Sequence, residues 1–254
     1  MYEMISSVKR DYIVDLVKQG KRVDGRSLDQ LRDMEVEIGI IKTANGSAKV
    51  KLGKTQVLVG AKLGRAVPFP DKPESGVLMV NTELCPQASP TFEVGPPRIG
   101  SIELSRVVDR GIRESGAIDL DKLGIKSGEE VWAVFIDIDV LDHDGGLFDA
   151  AASAALAALL NIKPPVDEAW TLPEFPLTKQ PVAITIAKID EKLLVDPSLD
   201  EERVMDARLT ITTSKDGSIC ALQKGGVGYF MKEDLEQAYD LASAKASELR
   251  TRLG

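Results

Sequence analysis

Residues 130–161, EVWAVFIDIDVLDHDGGLFDAAASAALAALLN, carry the clearest fold signal in this chain of 254 residues. The run at 130–141 is rich in β-branched and aromatic residues, which favour a strand. The Ala-rich run at 147–161 favours a packed helix, and it is too short to span a bilayer. The glycine pair between the two runs predicts a turn from strand to helix.

The rest of the chain indicates short strands set beside a few helices, which is typical of an α+β fold. We predict one domain, 1–254, of two similar halves at about 30–116 and 127–252, each with a mixed or antiparallel short-stranded sheet. Loops are expected at 64–75 and 85–98, and a Pro-rich crossing at 164–181. Periodicity predicts the remaining elements: helices at 4–19, 99–115 and 231–252, and strands at 34–41, 46–52, 55–63, 76–82, 182–190, 192–196, 206–214 and 218–223.

Composition excludes several classes of protein. The 32 Lys and Arg residues against 40 Asp and Glu residues give a net charge of −8, which argues against a free-standing nucleic-acid binder. One histidine, His143, and two cysteines, Cys85 and Cys220, exclude a multi-His metal site and a disulfide framework. The first twenty residues lack a signal-peptide apolar region. We therefore expect a cytoplasmic protein with no cofactor, no metal ligands of its own and no membrane contact.

Several motifs resemble those of the RNase PH family, in particular the archaeal exosome ring, and most of all the non-catalytic of its two RNase PH-like subunits. The resemblance covers about residues 20–250. The motifs that carry it are RVDGR at 22–26, GSAKVKLGKTQV at 46–57, GPP at 95–97, ELSRVVDR at 103–110, DIDVLD at 137–142 and LLVDPSLDEE at 193–202.

This resemblance implies an RNase PH-like fold and a role in 3′→5′ phosphorolytic RNA degradation. The implied partners are a catalytic RNase PH-like subunit, in a ring of three heterodimers, together with RNA-binding cap proteins and single-stranded RNA. Phosphate and Mg²⁺ are expected at the catalytic partner's active site. Two alternatives remain open: an exoribonuclease that is active by itself, and a structural module that makes no RNA contact.

Residue chemistry argues against catalysis by this chain, and no catalytic residue is predicted. Active relatives hold phosphate with a Gly-Ser-Arg turn, whereas the corresponding turn here, 144–149, has neither serine nor arginine. Asp144 and Asp149 flank that turn, and a carboxylate repels an incoming phosphate. Asp149 is instead expected to favour the helix N-terminus. Asp196 and Glu202 are candidates for residual acid chemistry, but a turn and a solvated acidic run explain them better.

The predicted helix at 99–115 places Arg106, Arg110 and Arg113 on one face, where they could bind successive RNA phosphates. The pattern alone also allows surface ion pairs with neighbouring acids; those acids are Glu103, Asp109 and Glu114. The family resemblance favours RNA contacts for Arg106 and Arg110, and Ile99 and Ile102 on the same side suggest a protein neighbour.

Other candidate residues carry weaker signals. Arg65 begins the loop at 64–75, where relatives place RNA-gripping pore loops, and Arg98 follows the Gly-Pro-Pro motif. We predict both as further RNA-binding residues. The basic turn at 21–26 is interpreted as structural. Trp132 and Trp170 are expected in the core or at an interface.

Overall fold

The structure, a computed structural model, describes residues 5–164 and 174–253. Trp170 lies outside these ranges. Five helices and ten strands are described, together with short 3₁₀ turns at Pro86–Ala88 and Leu120–Leu123. The helices are α1 (Ser7–Lys18), α2 (Ile99–Ser115), α3 (Leu147–Leu160), α4 (Leu199–Val204) and α5 (Lys232–Leu253). The strands are β1 (Met34–Ile38), β2 (Gly46–Leu52), β3 (Thr55–Ala66), β4 (Val77–Leu84), β5 (Gly124–Lys126), β6 (Glu130–Asp142), β7 (Val182–Ile189), β8 (Lys192–Val195), β9 (Ala207–Thr213) and β10 (Ile219–Gly226).

The first sheet has the strand order β1-β2-β3-β6-β4, and β5 adds to β6. Its pairs are antiparallel except β4 with β6, which run parallel. The predicted boundary between the halves is therefore wrong, because β6 lies in the first sheet although it falls within 127–252. Periodicity identifies a strand but not its neighbours, and β6 enters between β3 and β4, which precede it in sequence.

The second sheet has the antiparallel order β10-β9-β7-β8. Strand β7 is buried along its whole length because helices cover both of its faces. Helix α5 packs on one face of this sheet, and α2 approaches the other face so closely that a Cβ at Gly111 would lie 3.3 Å from Thr212 Cγ2.

Helix α3 joins the two sheets, since it packs on β2 and β3 of the first sheet and on β7 of the second. Its alanines permit this close approach: a Cβ at Gly46 of β2 would lie 2.3 Å from the carbonyl oxygen of Ala158. Leu156 extends from α3 into the second core beside Ile184 and Ala242. The predicted Ala-rich helix is thus confirmed as the central packing element.

Most predicted elements agree with the structure to within a few residues, and α2 matches its predicted bounds of 99–115. Strand β3 continues to Ala66, so Arg65 lies in a strand and not at the start of a loop. The short helix α4 was not predicted. No helix within the described ranges is long and apolar enough to cross a membrane.

Candidate functional site

Helix α2 lies along β4, an edge strand of the first sheet. Its amphipathic pattern determines this placement, because an apolar stripe is buried while the arginines stay exposed. Gly116 ends the helix in the left-handed conformation, at φ 64°, that glycine adopts without strain. The buried residues are Ser101, Leu104, Val107, Val108, Gly111, Ile112 and Ser115.

A groove of about 300 Å³ lies between α2 and β4. Arg106 and Arg110, one helical turn apart, line it together with the edge residues Leu78, Met79 and Val80. Both guanidinium groups are exposed. Among the residues that the structure describes, neither has a hydrogen-bond or ion-pair partner. These two arginines are therefore free to bind an anion.

Arg113 lines the same groove, but its hydrogen-bonding capacity is largely used within the protein. Its Nε and Nη2 donate to the carboxylate of Asp109 at 3.0 and 2.7 Å. Nη2 also donates to the carbonyl oxygen of Leu78 at 3.1 Å, which ties α2 to the sheet edge. The bonds to Asp109 raise the pKa of Arg113. Arg113 thus differs from the other two arginines of the predicted stripe.

A second ionic contact ties α2 to the other sheet. Arg208 of β9 donates to Glu103 at 2.7 Å, and Gln223 of β10 donates to the same oxygen at 3.1 Å. The guanidinium carbon of Arg208 lies 4.2 Å from the centroid of the Phe148 ring, which holds the side chain against α3. Hydrogen bonds from arginine side chains therefore tie α2 to both sheets.

The two weaker arginine candidates lie outside the groove. Arg65 pairs with Glu130 at 2.9 Å and stacks 5.4 Å from the ring centroid of Trp132, which is buried as predicted. Arg98 pairs with Glu93. Their RNA contacts stay predictions.

The turn at 144–149 is closed by other parts of the chain. Arg32 donates to the carbonyl oxygens of Asp144 and Gly145, at 2.8 and 3.1 Å. The hydroxyl of Thr55 donates to Gly145 at 2.7 Å. A Cβ at Gly145 would lie 2.4 Å from the backbone nitrogen of Leu199, so α4 covers this turn. These described contacts fill the space in which the turn could cradle an anion.

Asp196 is the centre of this closure and is completely buried. Its carboxylate binds Arg32 at 2.6 Å and Arg26 at 2.9 Å, and it also accepts the backbone N–H of Arg32 at 2.8 Å. Arg22, also buried, binds Glu201 and the carbonyl oxygens of residues 195 and 196. The structural interpretation of the 21–26 turn is confirmed, and Asp196 belongs to the same network.

The predicted solvated acidic run at 200–202 is wrong, because Glu201 is buried and the Glu202 side chain turns inward. Glu202 Oε1 accepts the backbone N–H of Gly146 at 2.8 Å, immediately before α3. Burial raises the pKa of Glu202 to about 7. Because this N–H is one that an anion would use at a helix N-terminus, an internal carboxylate already occupies that position.

Asp149 also faces inward. Its carboxylate accepts the backbone N–H and the hydroxyl of Thr185 at 3.0 and 2.6 Å, so it links the first turn of α3 to β7. Burial raises the pKa of Asp149 to about 7. The expected helix-start position is confirmed, but the side chain is directed to the second sheet.

Sequence reasoning missed Arg32, whose guanidinium group joins Asp196 to the backbone of the 144–149 turn. Arg32 lies outside every family motif, and its partner Asp196 is 164 positions away. An arginine at the end of a polar segment, just before a strand, gives no local signal of burial.

Family models match two consecutive parts of the chain. Residues 30–165 match domain 1 of the 3′ exoribonuclease family RNase PH, and residues 179–245 match its domain 2. The chain therefore belongs to the RNase PH family. Its α+β fold is RNase PH-like, and the two matches correspond to the two sheets.

Curated relatives match almost the whole chain. The exosome complex component Rrp42 of Thermococcus onnurineus is 53% identical, over 99% of this chain and 96% of its own length. Rrp42 of Methanosarcina acetivorans is also 53% identical, over 98% of this chain and 95% of its own length.

Solved structures similar to this chain also come from archaeal exosomes. A chain of the Archaeoglobus fulgidus exosome, with RNA bound to the active site, has a TM-score of 0.92 and 48% identity over 97% of this chain and 98% of its own. A chain of an archaeal exosome core has a TM-score of 0.87 and 44% identity over 97% and 96%.

Proposed function

We propose that this protein is a non-catalytic subunit of an archaeal exosome ring that binds a catalytic RNase PH-like partner and contributes RNA-phosphate contacts. The observation that carries the proposal is the contrast within one chain. The turn that would hold phosphate is closed by internal charges, while two arginines of α2 have no partner among the residues that the structure describes. Similarity to Rrp42 proteins over nearly the full chain supports the assignment.

The non-catalytic part rests on phosphate binding. A phosphorolytic enzyme must hold a phosphate dianion and stabilise additional negative charge in the transition state. Here the N–H of Gly146 is bound to Glu202, and the cation Arg32 is bound to Asp196. Among the residues that the structure describes, a phosphate at this turn would meet the acidic side chains of Asp196 and Glu202 and no unpaired cation. Repulsion at about 4 Å costs about 1 kcal/mol in water and several times more in a shielded site.

The RNA-binding part rests on Arg106 and Arg110. A guanidinium group presents a planar fork of donors that matches phosphate oxygens. The two arginines lie roughly 6 Å apart along the helix axis, given a rise of about 1.5 Å per residue. This arrangement suits two neighbouring phosphates of single-stranded RNA in the groove.

The assembly part rests on exposed apolar residues beside the same face. Ile99 is 85% and Val94 is 88% exposed, and Ile102 is also exposed. An apolar patch adjoining a cationic groove favours a protein partner that completes the RNA site. In a ring of three heterodimers, that partner would bind phosphate and Mg²⁺ at its active site and would supply the general acid. RNA-binding cap proteins and a cytoplasmic location belong to the same proposal.

The proposal is tested by reconstitution with a catalytic paralogue. Light scattering of the equimolar mixture should show one hetero-oligomeric species. The protein by itself, incubated with labelled RNA, magnesium and phosphate, should release no nucleoside diphosphate, whereas the complex should release it. A monodisperse monomer in the mixture contradicts the assembly. Release of nucleoside diphosphate by the isolated, purified protein would establish the independent exoribonuclease instead.

A further inference from the structure

Arg106 has an acidic residue one helical turn away on each side, Glu103 before it and Asp109 after it. Side chains three positions apart on a helix are neighbours, and opposite charges at this spacing normally form ion pairs. Arg106 is nevertheless unpaired among the described residues. The reason lies in what binds the two acids.

Each of the two carboxylates is held by a different arginine. Asp109 receives two hydrogen bonds from Arg113, at 2.7 and 3.0 Å, and Glu103 receives one from Arg208 at 2.7 Å. Both arginines are themselves fixed, Arg113 by the carbonyl oxygen of Leu78 and Arg208 by the Phe148 ring. The two acids are thus turned away from Arg106 by contacts that reach across to each sheet.

We propose that Arg113 and Arg208 are positioning residues that sequester Asp109 and Glu103, and so keep Arg106 uncompensated for an RNA phosphate. This inference rests on the proposed function of the groove. It assigns Arg113 a different role from Arg106 and Arg110: its charge acts on Asp109 and not on the RNA.

The geometry explains why arginine suits position 113, where two donors bind the two oxygens of Asp109. A bidentate grip needs two parallel donors on a rigid plane, which arginine has and lysine lacks. A third donor of Arg113 reaches the edge of β4, so the carboxylate of Asp109 is held at a fixed distance from the sheet. Without that grip, Asp109 is free to pair with Arg106, and an anion must then displace the internal carboxylate.

The test uses the full chain assembled with its catalytic partner, without added phosphate, and a fluorescein-labelled single-stranded oligoadenylate. RNA affinity is measured by fluorescence anisotropy over a series of KCl concentrations. Arg113→Met should weaken binding about two- to fivefold, the scale of one exposed ion pair. The slope of log affinity against log salt should become shallower by about 0.7, the contribution of one phosphate on a single strand.

Rescue separates sequestration from direct contact. Asp109→Asn alone should bind as well as the unchanged chain or better, and Arg113→Met with Asp109→Asn should restore both affinity and slope. A double variant as weak as Arg113→Met alone overturns the inference, since Arg113 would then contact RNA or support the fold directly. An unchanged affinity for Arg113→Met also overturns it. Arg113→Lys, which keeps the charge but loses the bidentate grip, replaces Met if that variant fails to assemble.

Arg208 is tested in the same way, with Arg208→Gln compared with Arg208→Gln plus Glu103→Gln.

Failure of the proposed function gives a different result from failure of this inference. If Arg106→Gln leaves RNA affinity and salt slope unchanged, the groove does not bind phosphate, and the proposed function fails together with the inference. If Arg106→Gln weakens binding while the Arg113 rescue fails, only the inference is lost.

Discussion

Two clusters of arginine and carboxylate side chains differ in how fully their charges are paired. Around the Gly145–Gly146 turn, Arg32 and Asp196 are buried and each makes several short hydrogen bonds. Along α2, Arg106 and Arg110 are exposed and unpaired among the described residues. Composition alone does not distinguish the clusters, since both mix arginine with acid. The difference teaches that pairing, and not the presence of arginine, separates a structural centre from a candidate binding surface.

The largest expected effect comes from breaking the closed centre. Asp196→Asn removes the charge that pairs with Arg32 and Arg26; Arg26 keeps its pair with Asp24, whereas the buried guanidinium of Arg32 is left uncompensated. The free energy of unfolding should fall by about 3–5 kcal/mol, measured by urea denaturation. Glu35→Gln is the matched control, because Glu35 pairs with Lys51 at the surface, at 3.6 Å. Its effect should stay within about 1 kcal/mol. Equal losses in both variants would contradict the contrast.

A methyl group added at the closed turn should have the next largest effect. Gly145→Ala places a Cβ 2.4 Å from the Leu199 backbone nitrogen, at a φ of +83°. Gly128→Ala is the control, since its φ is +73° and nothing lies within 4 Å of its Cβ. Both variants carry the backbone cost of about 1 kcal/mol. Gly145→Ala should lose roughly 1–3 kcal/mol more in thermal or urea unfolding, because α4 must shift. A similar loss in both would show that α4 does not seal the turn.

A third expected effect is a pH dependence of stability, spread over several pH units. The pKa of Asp149 is about 7 in the folded protein, against an ordinary value of 3.8. The folded state therefore holds an extra proton between these pH values. The free energy of unfolding should fall as pH rises through this window, by up to about 1.4 kcal/mol per pH unit.

Asp149→Asn keeps the shape of the side chain and lacks this titration. The difference in unfolding free energy between the unchanged chain and Asp149→Asn should therefore vary with pH between about 4 and about 7. The pKa of Glu202 is also raised to about 7, so Glu202 makes the free energy of unfolding fall with rising pH in both proteins. Burial lowers the pKa of His143 to about 4. His143 therefore makes the free energy of unfolding rise with pH, and it does so equally in both proteins. A constant difference across the window would show that Asp149 stays ionised.

Local pattern predicted most of the helices and strands, though not α4 or β5, and it did not show which strands are neighbours in a sheet. The helical period of 99–115 placed the arginines on one exposed face, and the structure confirms that placement. The position of β6 between β3 and β4 was not predictable, because strand order depends on contacts between distant segments. The same holds for Asp196, whose burial depends on Arg32, 164 positions away.

The arginines of the candidate groove were predictable from the local pattern, but their ion-pair partners were not. Spacing alone allowed Glu103 and Asp109 to pair with Arg106, and it could not show which arginine binds each acid. The partner of Glu103 is Arg208, 105 positions away on the second sheet. The family resemblance indicated Arg106 and Arg110, and within the described part of the chain these are the two arginines of α2 that are left unpaired.

The most direct test of the central claim is the salt dependence of RNA binding by the assembled complex. Arg106→Gln with Arg110→Gln should weaken binding to single-stranded RNA at least tenfold, and the salt slope should become shallower by about 1.4, or about 0.7 for each phosphate. Lys42→Gln with Lys54→Gln removes the same charge from exposed sites outside the groove and should leave the slope nearly unchanged. Equal changes in the two double variants, with both complexes intact, would contradict the assignment of the groove to RNA.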